Sequence, residues 1–512
     1  MSTHADSRAA VARKATDPLS LADQFLTTHF KDPTSGVPTI RYWQSRWYLY
    51  EDGRYAPAEY EALEIKLRRF INKVADDQAL SSGETPVRAP NQLVTETLEQ
   101  MKTLGVYVEG HGSLPLWLDG KPTPPGITFH LGDVLLWVDA ATPTADMLLH
   151  TPSFFSTNML NARLRNPRPD CPKFLKFLDE TFEGDQERIQ RLQEWMGLLL
   201  VPDTSFHKML ICVGEGRNGK SVLLKVIEHI LGRNNVSALD LEALSQRFGI
   251  AGTEGKLVNI SADLSPTGKL DLGVLKKFIG GDSMMLEEKY KAARQFKPTA
   301  RLVLATNTLP KLGDPTDAIW RRIDVLPFDR QVSANQVNRE LDKELCEERD
   351  AIFRFMADGL VRLRQQGAFT HSARMESAAT AYRRDNNPTQ EYLRNHWKQE
   401  EGPEVSKDSL HEHYCDVMHA DGESLITKAQ LGQDILRMFP ATRTRRVRRQ
   451  ALVFLHELGT ALMRNRVSRD RLAPIPRHFQ PRQRHPCPVA TRTEAFVGCI
   501  SPHEEAAHPS DT

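Results

Sequence analysis

The chain is poor in cysteine. It has six in 512 residues, at positions 171, 212, 346, 415, 487 and 499, with no paired spacing. That excludes a disulfide framework and suits a reducing compartment. No apolar run approaches the ~20 residues of a membrane span. Nothing near Met1 joins a basic stretch to an apolar one, as a secretory signal does. Neither sign of charge dominates: 67 Lys and Arg stand against 66 Asp and Glu, a net of +1. The balance excludes a uniformly acidic or basic chain, but it hides an arginine-rich stretch from Arg443 to Arg484. These absences leave a globular protein of the cytoplasm with no membrane contact, long enough for roughly three domains.

What is present centres on Met209–Ser221, MLICVGEGRNGKS. Met209–Val213 is an apolar run of strand length. Gly214, Glu215, Gly216, Arg217, Asn218, Gly219, Lys220 and Ser221 then fit G-x-x-x-x-G-K-[ST], and an apolar-periodic segment follows. Glycines let backbone N–H groups turn inward around a phosphate chain, and the next helix aims its positive end at the same anion. The pattern predicts ATP and Mg²⁺ as cofactors, with Lys220 on the β- and γ-phosphates and the Ser221 hydroxyl on the metal.

Hydrolysis needs more than a phosphate loop. It also needs an acid at a strand end, a polar residue near the γ-phosphate and a positive charge for the transition state. The sequence offers these in order. Asp263 lies beyond the strand-like run Leu257–Ile260, Asn307 follows Leu302–Ala305, and Arg321-Arg322 precede Ile323–Phe328. Each alone is an ordinary cap, turn or surface residue; the ordered set is what points to an ATPase.

The rest of the chain arranges itself around this core. Residues 1–20 read as a flexible leader and 21–160 as a mixed α+β accessory domain. In the latter, Tyr42, Trp43, Trp47, Tyr48, Tyr50 and Tyr55 surround an Asp52-Gly53 turn, predicting a β-hairpin. With Arg41 and Arg46 interleaved, the aromatics form either a small core or a base-stacking platform. Glu61–Val74 has helical periodicity, and Val106–Val108, Ile127–His130 and Val134–Val138 read as strands. Residues 161–205 form a helical collar with helices over Phe174–Phe182 and Asp185–Leu199. In the core, 206–332, strands separated by helices predict a largely parallel sheet covered on both faces. Within it, Glu287–Lys291 and Gln295–Pro298 read as the arms of a hairpin. A helical extension covers 333–384, and Asp385–Pro388 reads as a linker. Residues 385–472 place three compact helices beside Arg443, Arg445, Arg446, Arg448 and Arg449, which predicts a small winged-helix-like DNA-binding domain or a helical cap. The remainder, 473–512, is Pro/Arg/His-rich and reads as disordered. His485, Cys487, Cys499 and His503 lie there without a common zinc spacing.

The ordered motifs resemble the superfamily 3 helicases, an AAA+-related group of viral, phage and plasmid replication proteins. They are most similar to the phage/plasmid primase-helicases that include the poxvirus primase-helicase. The likeness rests on Gly214–Ser221, Leu257–Asp263, Lys277–Asp282, Leu304–Pro310 and Ala318–Phe328, and it extends over about residues 100–460. It implies a multi-domain α/β protein with an AAA+-like P-loop ATPase, forming homo-hexameric rings that move on single-stranded and forked DNA. Carried over, Lys220 and Ser221 match the phosphate and metal contacts and Asp263 the Walker B acid. Asn307 matches the sensor that orients water, and Arg321 or Arg322 the finger offered to a neighbour. Lys289 and Lys291 fall at the hairpin that grips DNA. One departure is that Ala262 precedes a single Asp263, where many relatives carry two acids. Residues 1–200 hold neither an Asp-x-Asp pair nor a Cys/His zinc set, so primer synthesis would fall to a separate primase or polymerase partner. Two other readings stay open: an origin-binding initiator ATPase without processive unwinding, and a DNA-binding regulatory or defence protein with a vestigial ATPase.

Overall fold

A computed structural model describes residues 17–83, 85–86, 88–109, 114–119, 126–139, 145–262, 271–289, 293–310, 312, 317–333, 335, 337–398, 404–420, 423–446, 494–497 and 501–502. They fall into two compact units, one up to Ala379 and one from Thr380 onward.

The first unit begins with helix Pro18–His29, whose N-terminus is capped by the Asp17 carboxylate accepting the Ser20 N–H at 3.0 Å. Its buried residues Leu21, Ala22, Phe25 and Leu26 lie one helical turn apart. They pack on helices Tyr60–Ser82 and Asn91–Met101. Against them lies an antiparallel sheet of Ile40–Trp43, Arg46–Glu51 and Arg54–Pro57. Asp52 and Gly53 take φ of 48° and 84° in its second turn, the left-handed pair that a two-residue hairpin needs. Gln44 and Ser45 do the same in the first turn at 47° and 63°, without a sequence signal. Trp43, Tyr48, Tyr55 and Phe155 form a buried cluster, so these aromatics are core rather than a stacking platform. Arg41 is buried too, donating to the Tyr55 hydroxyl and the Gly105 carbonyl. The strand expected at Val106–Val108 does not form. Val106 closes a helical turn, Lys102–Val106, in which Gly105 at φ 76° reverses the chain, and Tyr107 makes only an isolated bridge to Tyr42.

The centre of the unit is a five-stranded sheet, parallel throughout. Its order is Val236–Ser237, Val258–Ala262, Arg301–Thr306, Met209–Val213, Ile323–Pro327. Arg301–Thr306 and Ile323–Pro327 are buried at every position, as strands covered on both faces are. Helices Pro172–Thr181, Gln186–Leu198, Lys220–Leu231 and Arg349–Gln366 contribute to one hydrophobic core with this sheet. That core joins the segments read from sequence as collar, nucleotide core and extension. Gly197 and Gly359 let two of the helices touch at the backbone: a Cβ on Gly197 would lie 2.3 Å from the Met356 oxygen, and one on Gly359 2.3 Å from the Gln193 oxygen.

The hairpin arms are Met284–Leu286 and Arg294–Phe296. Glu287–Lys289 therefore belong to the connection, not to an arm. The reason is that Leu286 and Phe296 are the buried anchors of the pair, which the charged Glu287-Glu288-Lys289 run cannot supply.

In the second unit, helices Pro388–His396, Lys407–Ala420 and Lys428–Met438 enclose Tyr392, Leu393, Leu410, Tyr414, Leu431 and Ile435. Thr427 and Gln430 cap the last helix reciprocally. Asp385–Pro388 is not a linker. Helix Ala373–Asn386 runs through Asp385 and Asn386, and Pro388, suited to a first helical turn, starts the next helix after one residue. An antiparallel sheet places Glu494–Val497 between Glu404–Ser406 and Arg443–Arg446. Ser501–Pro502 pairs with Trp397–Lys398. The expectation of disorder over 473–512 thus fails at these two strands, the first of which carries the β-favouring pair Phe496-Val497. No helix among the described residues is long and apolar enough to cross a membrane.

Candidate functional site

The parallel register fixes what meets at one edge of the central sheet. Val213 pairs with Thr306 on one side and Pro327 on the other, and Ala305 pairs with Ala262. The C-terminal ends of four strands thus lie together, where ligands of open α/β sheets bind. The chain leaves Val213 into Gly214–Gly219 and enters helix Lys220–Leu231.

The loop is tight. A Cβ on Gly214 would sit 2.4 Å from the Phe328 carbonyl oxygen and 2.5 Å from the Asn218 amide nitrogen. Gly219 precedes the helix at φ 90°, and Arg217 adopts φ 62°. Glu215 is anchored from outside by the Gln331 side-chain amide at 2.7 Å, and the Arg217 carbonyl accepts the Val332 N–H at 2.8 Å. Segment 328–332 therefore shapes the loop, which its own sequence does not reveal.

Lys220, only 6% exposed, turns its ammonium back into the loop. Nζ donates to the Gly214 carbonyl, to the Asn218 Oδ1 at 3.2 Å and, at the long limit of 3.4 Å, to the Glu215 carbonyl and the Asn307 Oδ1. Asn218 is itself buried, 5% exposed, and holds the lysine in place. The structure thus brings together Lys220 and Asn307, which lie 87 residues apart in sequence. Thr306 fixes the Asn307 turn, its hydroxyl donating to the Thr308 carbonyl at 2.6 Å and accepting the Thr308 N–H at 3.2 Å. Ser221 is exposed in the first turn of the helix. Full burial pushes the neighbouring Cys212 thiol up to about 12, although the Lys220 charge acts in the opposite direction. This cysteine is therefore a neutral core group, not a nucleophile.

Not every expected residue gathers here. Asp263 follows the described strand end Ala262 but lies outside the described residues. Arg321 and Arg322 lie at the opposite edge of the sheet, since Ile323 pairs with Met209 and Met209 N–H donates to the Arg322 carbonyl. About 15 Å of strand separates them from the loop of the same chain. Arg321 is exposed, while Arg322 is half-buried and donates to the Ala318 carbonyl.

Lys289 is exposed in the hairpin connection; Lys291 lies outside the described residues. The base of that hairpin is tied to the N-terminal sheet by charges that sequence reasoning missed. Arg46 pairs with Glu254 at 2.8 Å and with Glu288, and Arg294 pairs with Glu254 and donates to Gln44 at 3.3 Å. Arg46 is thus an ion-pair residue, not a base-stacking partner. In the second unit Arg443 is exposed on strand Arg443–Arg446, which also carries Arg445 and Arg446. Arg448, Arg449, His485, Cys487, Cys499 and His503 lie outside the described residues.

A deeply buried ionic cluster was also missed. Asp324 is 3% exposed. It accepts from Arg191 Nη2 at 2.9 Å and Nε at 3.1 Å, from Lys208 at 2.8 Å and from the Trp195 indole at 3.0 Å. It clamps helix Gln186–Leu198 to the strand Ile323–Pro327 that borders the loop strand.

Comparisons with known proteins give partial likenesses. Residues 212–322 match the model of a family of unknown function (DUF5906), and residues 386–458 match that of the RFX DNA-binding domain. Two proteins named "Putative helicase" are similar: L207/L206 of Acanthamoeba polyphaga mimivirus and 121R of Invertebrate iridescent virus 3. The first is 25% identical over 185 residues, covering 32% of this chain and 19% of the relative. The second is 28% identical over 179 residues, covering 33% and 18%. The chain thus spans about a fifth of the length of the relatives it matches. Among solved structures, the apo C-terminal region of NrS-1 is similar at 13% identity and a TM-score of 0.46, over 84% of this chain and 97% of that one. Over about a third of its length the chain thus resembles proteins named as helicases of large DNA viruses, in line with the superfamily 3 primase-helicase likeness of its ordered motifs.

Proposed function

We propose that the chain is an ATP-dependent DNA helicase that works as a ring, with Gly214–Ser221 as its phosphate loop. The observation that carries this is the meeting of Lys220 Nζ and Asn307 Oδ1, 3.4 Å apart, at the C-terminal edge of a parallel sheet. The residues fit a nucleotide. Gly214 has a close approach that any side chain would fill, and Lys220 Nζ donates to oxygens of Gly214, Glu215 and Asn218 within the loop. Lys220 binds the β- and γ-phosphates, and Asn307 orients the attacking water from the next strand end. Ser221 and Asp263 would hold Mg²⁺, which when bound neutralises charge on the phosphates. Asp263, as the single acid beyond Ala262, also polarises that water.

Arg321 and Arg322 cannot complete their own chain's site across the sheet. In this reading they reach the site of a neighbouring subunit, which makes hydrolysis depend on assembly. Exposed Lys289, with Lys291, contacts single-stranded DNA from the hairpin connection. The second unit binds duplex DNA through Arg443, Arg445, Arg446, Arg448 and Arg449. Support comes from its three helices beside an antiparallel sheet and from the match of 386–458 to the RFX DNA-binding domain model.

The same match favours a second reading, an origin-binding initiator that hydrolyses ATP without unwinding. A strand-displacement assay on forked DNA separates the two. A helicase displaces the strand only with hydrolysable ATP; an initiator turns ATP over and leaves the fork intact. A chain that does neither is the vestigial ATPase.

A further inference from the structure

A cavity of about 270 Å³ opens beside Gly232, where helix Lys220–Leu231 ends. It lies about 18 Å along that helix from Lys220. Arg54, Arg163, Arg233 and Arg349 all line it, with no carboxylate and no aromatic ring among the lining residues. Arg54 and Arg349 are half-buried, whereas Arg163 and Arg233 are exposed at the rim. Among the described residues, no carboxylate pairs with the Arg54, Arg163 or Arg233 side chain, and Arg349 has only Asp350, 3.6 Å away. That carboxylate is already shared, accepting the Arg163 backbone N–H and the Arg165 Nε, each at 2.9 Å.

Four guanidinium groups around one opening repel each other unless an anion enters. Their field reaches the neighbouring groups. Burial, and then the Arg54 charge, hold Lys256 below its ordinary value; burial, and then Arg349, do the same to His229. The end of a helix is ordinarily a poor place for an anion, because its free carbonyls carry negative charge. Here those carbonyls are occupied. Glu228 O accepts the Gly232 N–H at 2.9 Å, His229 O the Asn161 side-chain amide at 3.0 Å and Ile230 O the Asn161 N–H at 2.8 Å. Leu231 O takes the Asn235 side-chain amide at 2.6 Å.

We infer that this cavity binds phosphate groups of a DNA backbone, at a contact separate from Lys289 and from the second unit. The inference rests on the DNA reading above. Guanidinium forks match phosphate oxygens in pairs. The lack of an aromatic ring argues against a free nucleotide, whose base would have nothing to stack on, and fits a backbone held without base readout.

The test uses the full chain and the variant Arg163→Gln/Arg233→Gln, which alters two exposed, unpaired side chains. A charge-preserving Arg163→Lys/Arg233→Lys partner controls for shape. Binding of a labelled single-stranded oligonucleotide is measured by anisotropy across a salt titration. Loss of two phosphate contacts should flatten the log–log salt dependence by about 1.4, at roughly 0.7 per contact; the lysine variant should keep the wild-type slope. Phenylglyoxal labelling of the wild type, read by mass spectrometry, should show Arg163 and Arg233 protected by the oligonucleotide. Equal slopes for wild type and glutamine variant, with both folded by circular dichroism, overturn the site and leave the helicase reading standing. Protection by inorganic pyrophosphate but not by DNA overturns the backbone assignment. A wild-type chain that binds no DNA overturns this inference and the DNA reading together.

Discussion

Asp324→Ala should destabilise the first unit by about 3–5 kcal/mol, the cost of leaving a buried charge without its partner. The carboxylate is 3% exposed and holds Arg191, Lys208 and the Trp195 indole at once. Lys208 is partly exposed and can turn to water; the Arg191 side chain is 9% exposed and keeps Glu376, at 3.4 Å, and the Thr370 carbonyl, at 3.3 Å. Asp324→Asn keeps the shape but not the charge and should lose nearly as much. Arg191→Met/Asp324→Leu removes both charges and should recover most of the loss, since apolar replacement of a buried pair is often neutral. The assay is urea unfolding followed by near-ultraviolet circular dichroism. Acid supplies a second readout. Burial raises the Asp324 carboxyl, but Lys208 and then Arg191 outweigh it, leaving the group below its ordinary value of 3.8. A depressed carboxylate contributes stability that is complete above the unfolded value and lost as pH falls through the folded one. The wild type should therefore keep its advantage over Asp324→Ala from about pH 7 to 5 and lose it below about pH 4. A loss under about 1 kcal/mol for Asp324→Ala, or an advantage that fades already near pH 6, would refute the reasoning.

Three further outcomes follow from the geometry. Gly214→Ala should destabilise by about 1–3 kcal/mol, as overpacking does, and cut ATP turnover, because its Cβ meets the Phe328 backbone oxygen at 2.4 Å; denaturation midpoint and turnover together check it. Lys289→Ala should weaken single-stranded DNA binding and lower its salt dependence by about 0.7, with no change in thermal midpoint, since that side chain is exposed in the hairpin connection. Mixing inactive Lys220→Ala with inactive Arg321→Ala/Arg322→Ala should restore part of the turnover once subunits exchange, because an arginine finger in trans is worth ~10³–10⁵ in rate; confirmed exchange with no recovery counts against the trans role.

The strands of the central sheet were legible because each is a short apolar run bounded by turn residues, so Met209–Val213, Arg301–Thr306 and Ile323–Pro327 lie within two residues of their expected ends. Val236–Ser237 was not, because two residues carry no periodicity; the Asn259 side chain, accepting from the Ser237 hydroxyl and the Leu239 N–H, helps hold that edge. The hairpin register slipped because the charged run Glu287–Lys289 carries no apolar anchor, while the residues that decide the register, Leu286 opposite Arg294 and Phe296 opposite Met284, show their burial only in the folded pair. Proline at 388 suggested a linker but in fact opens a helix. In the site, spacing alone located the loop, yet the roles of Asn218 and of segment 328–332 depend on contacts over distances the motif does not encode. Asp324 was invisible for the same reason: a lone acid in an apolar strand looks like an edge residue until Arg191, Lys208 and Trp195 converge on it from 116 to 133 positions away.

The central claim is that Gly214–Ser221 binds ATP and that Lys220 supplies the charge for its hydrolysis in response to DNA. It is tested most directly by steady-state ATP turnover of the purified full chain with Mg²⁺, with and without single-stranded DNA, beside Lys220→Ala. The wild type should hydrolyse ATP faster when DNA is added, and Lys220→Ala should show no turnover above buffer while keeping its circular dichroism spectrum. Turnover by Lys220→Ala close to that of the wild type, in a preparation free of other ATPases, would contradict the account.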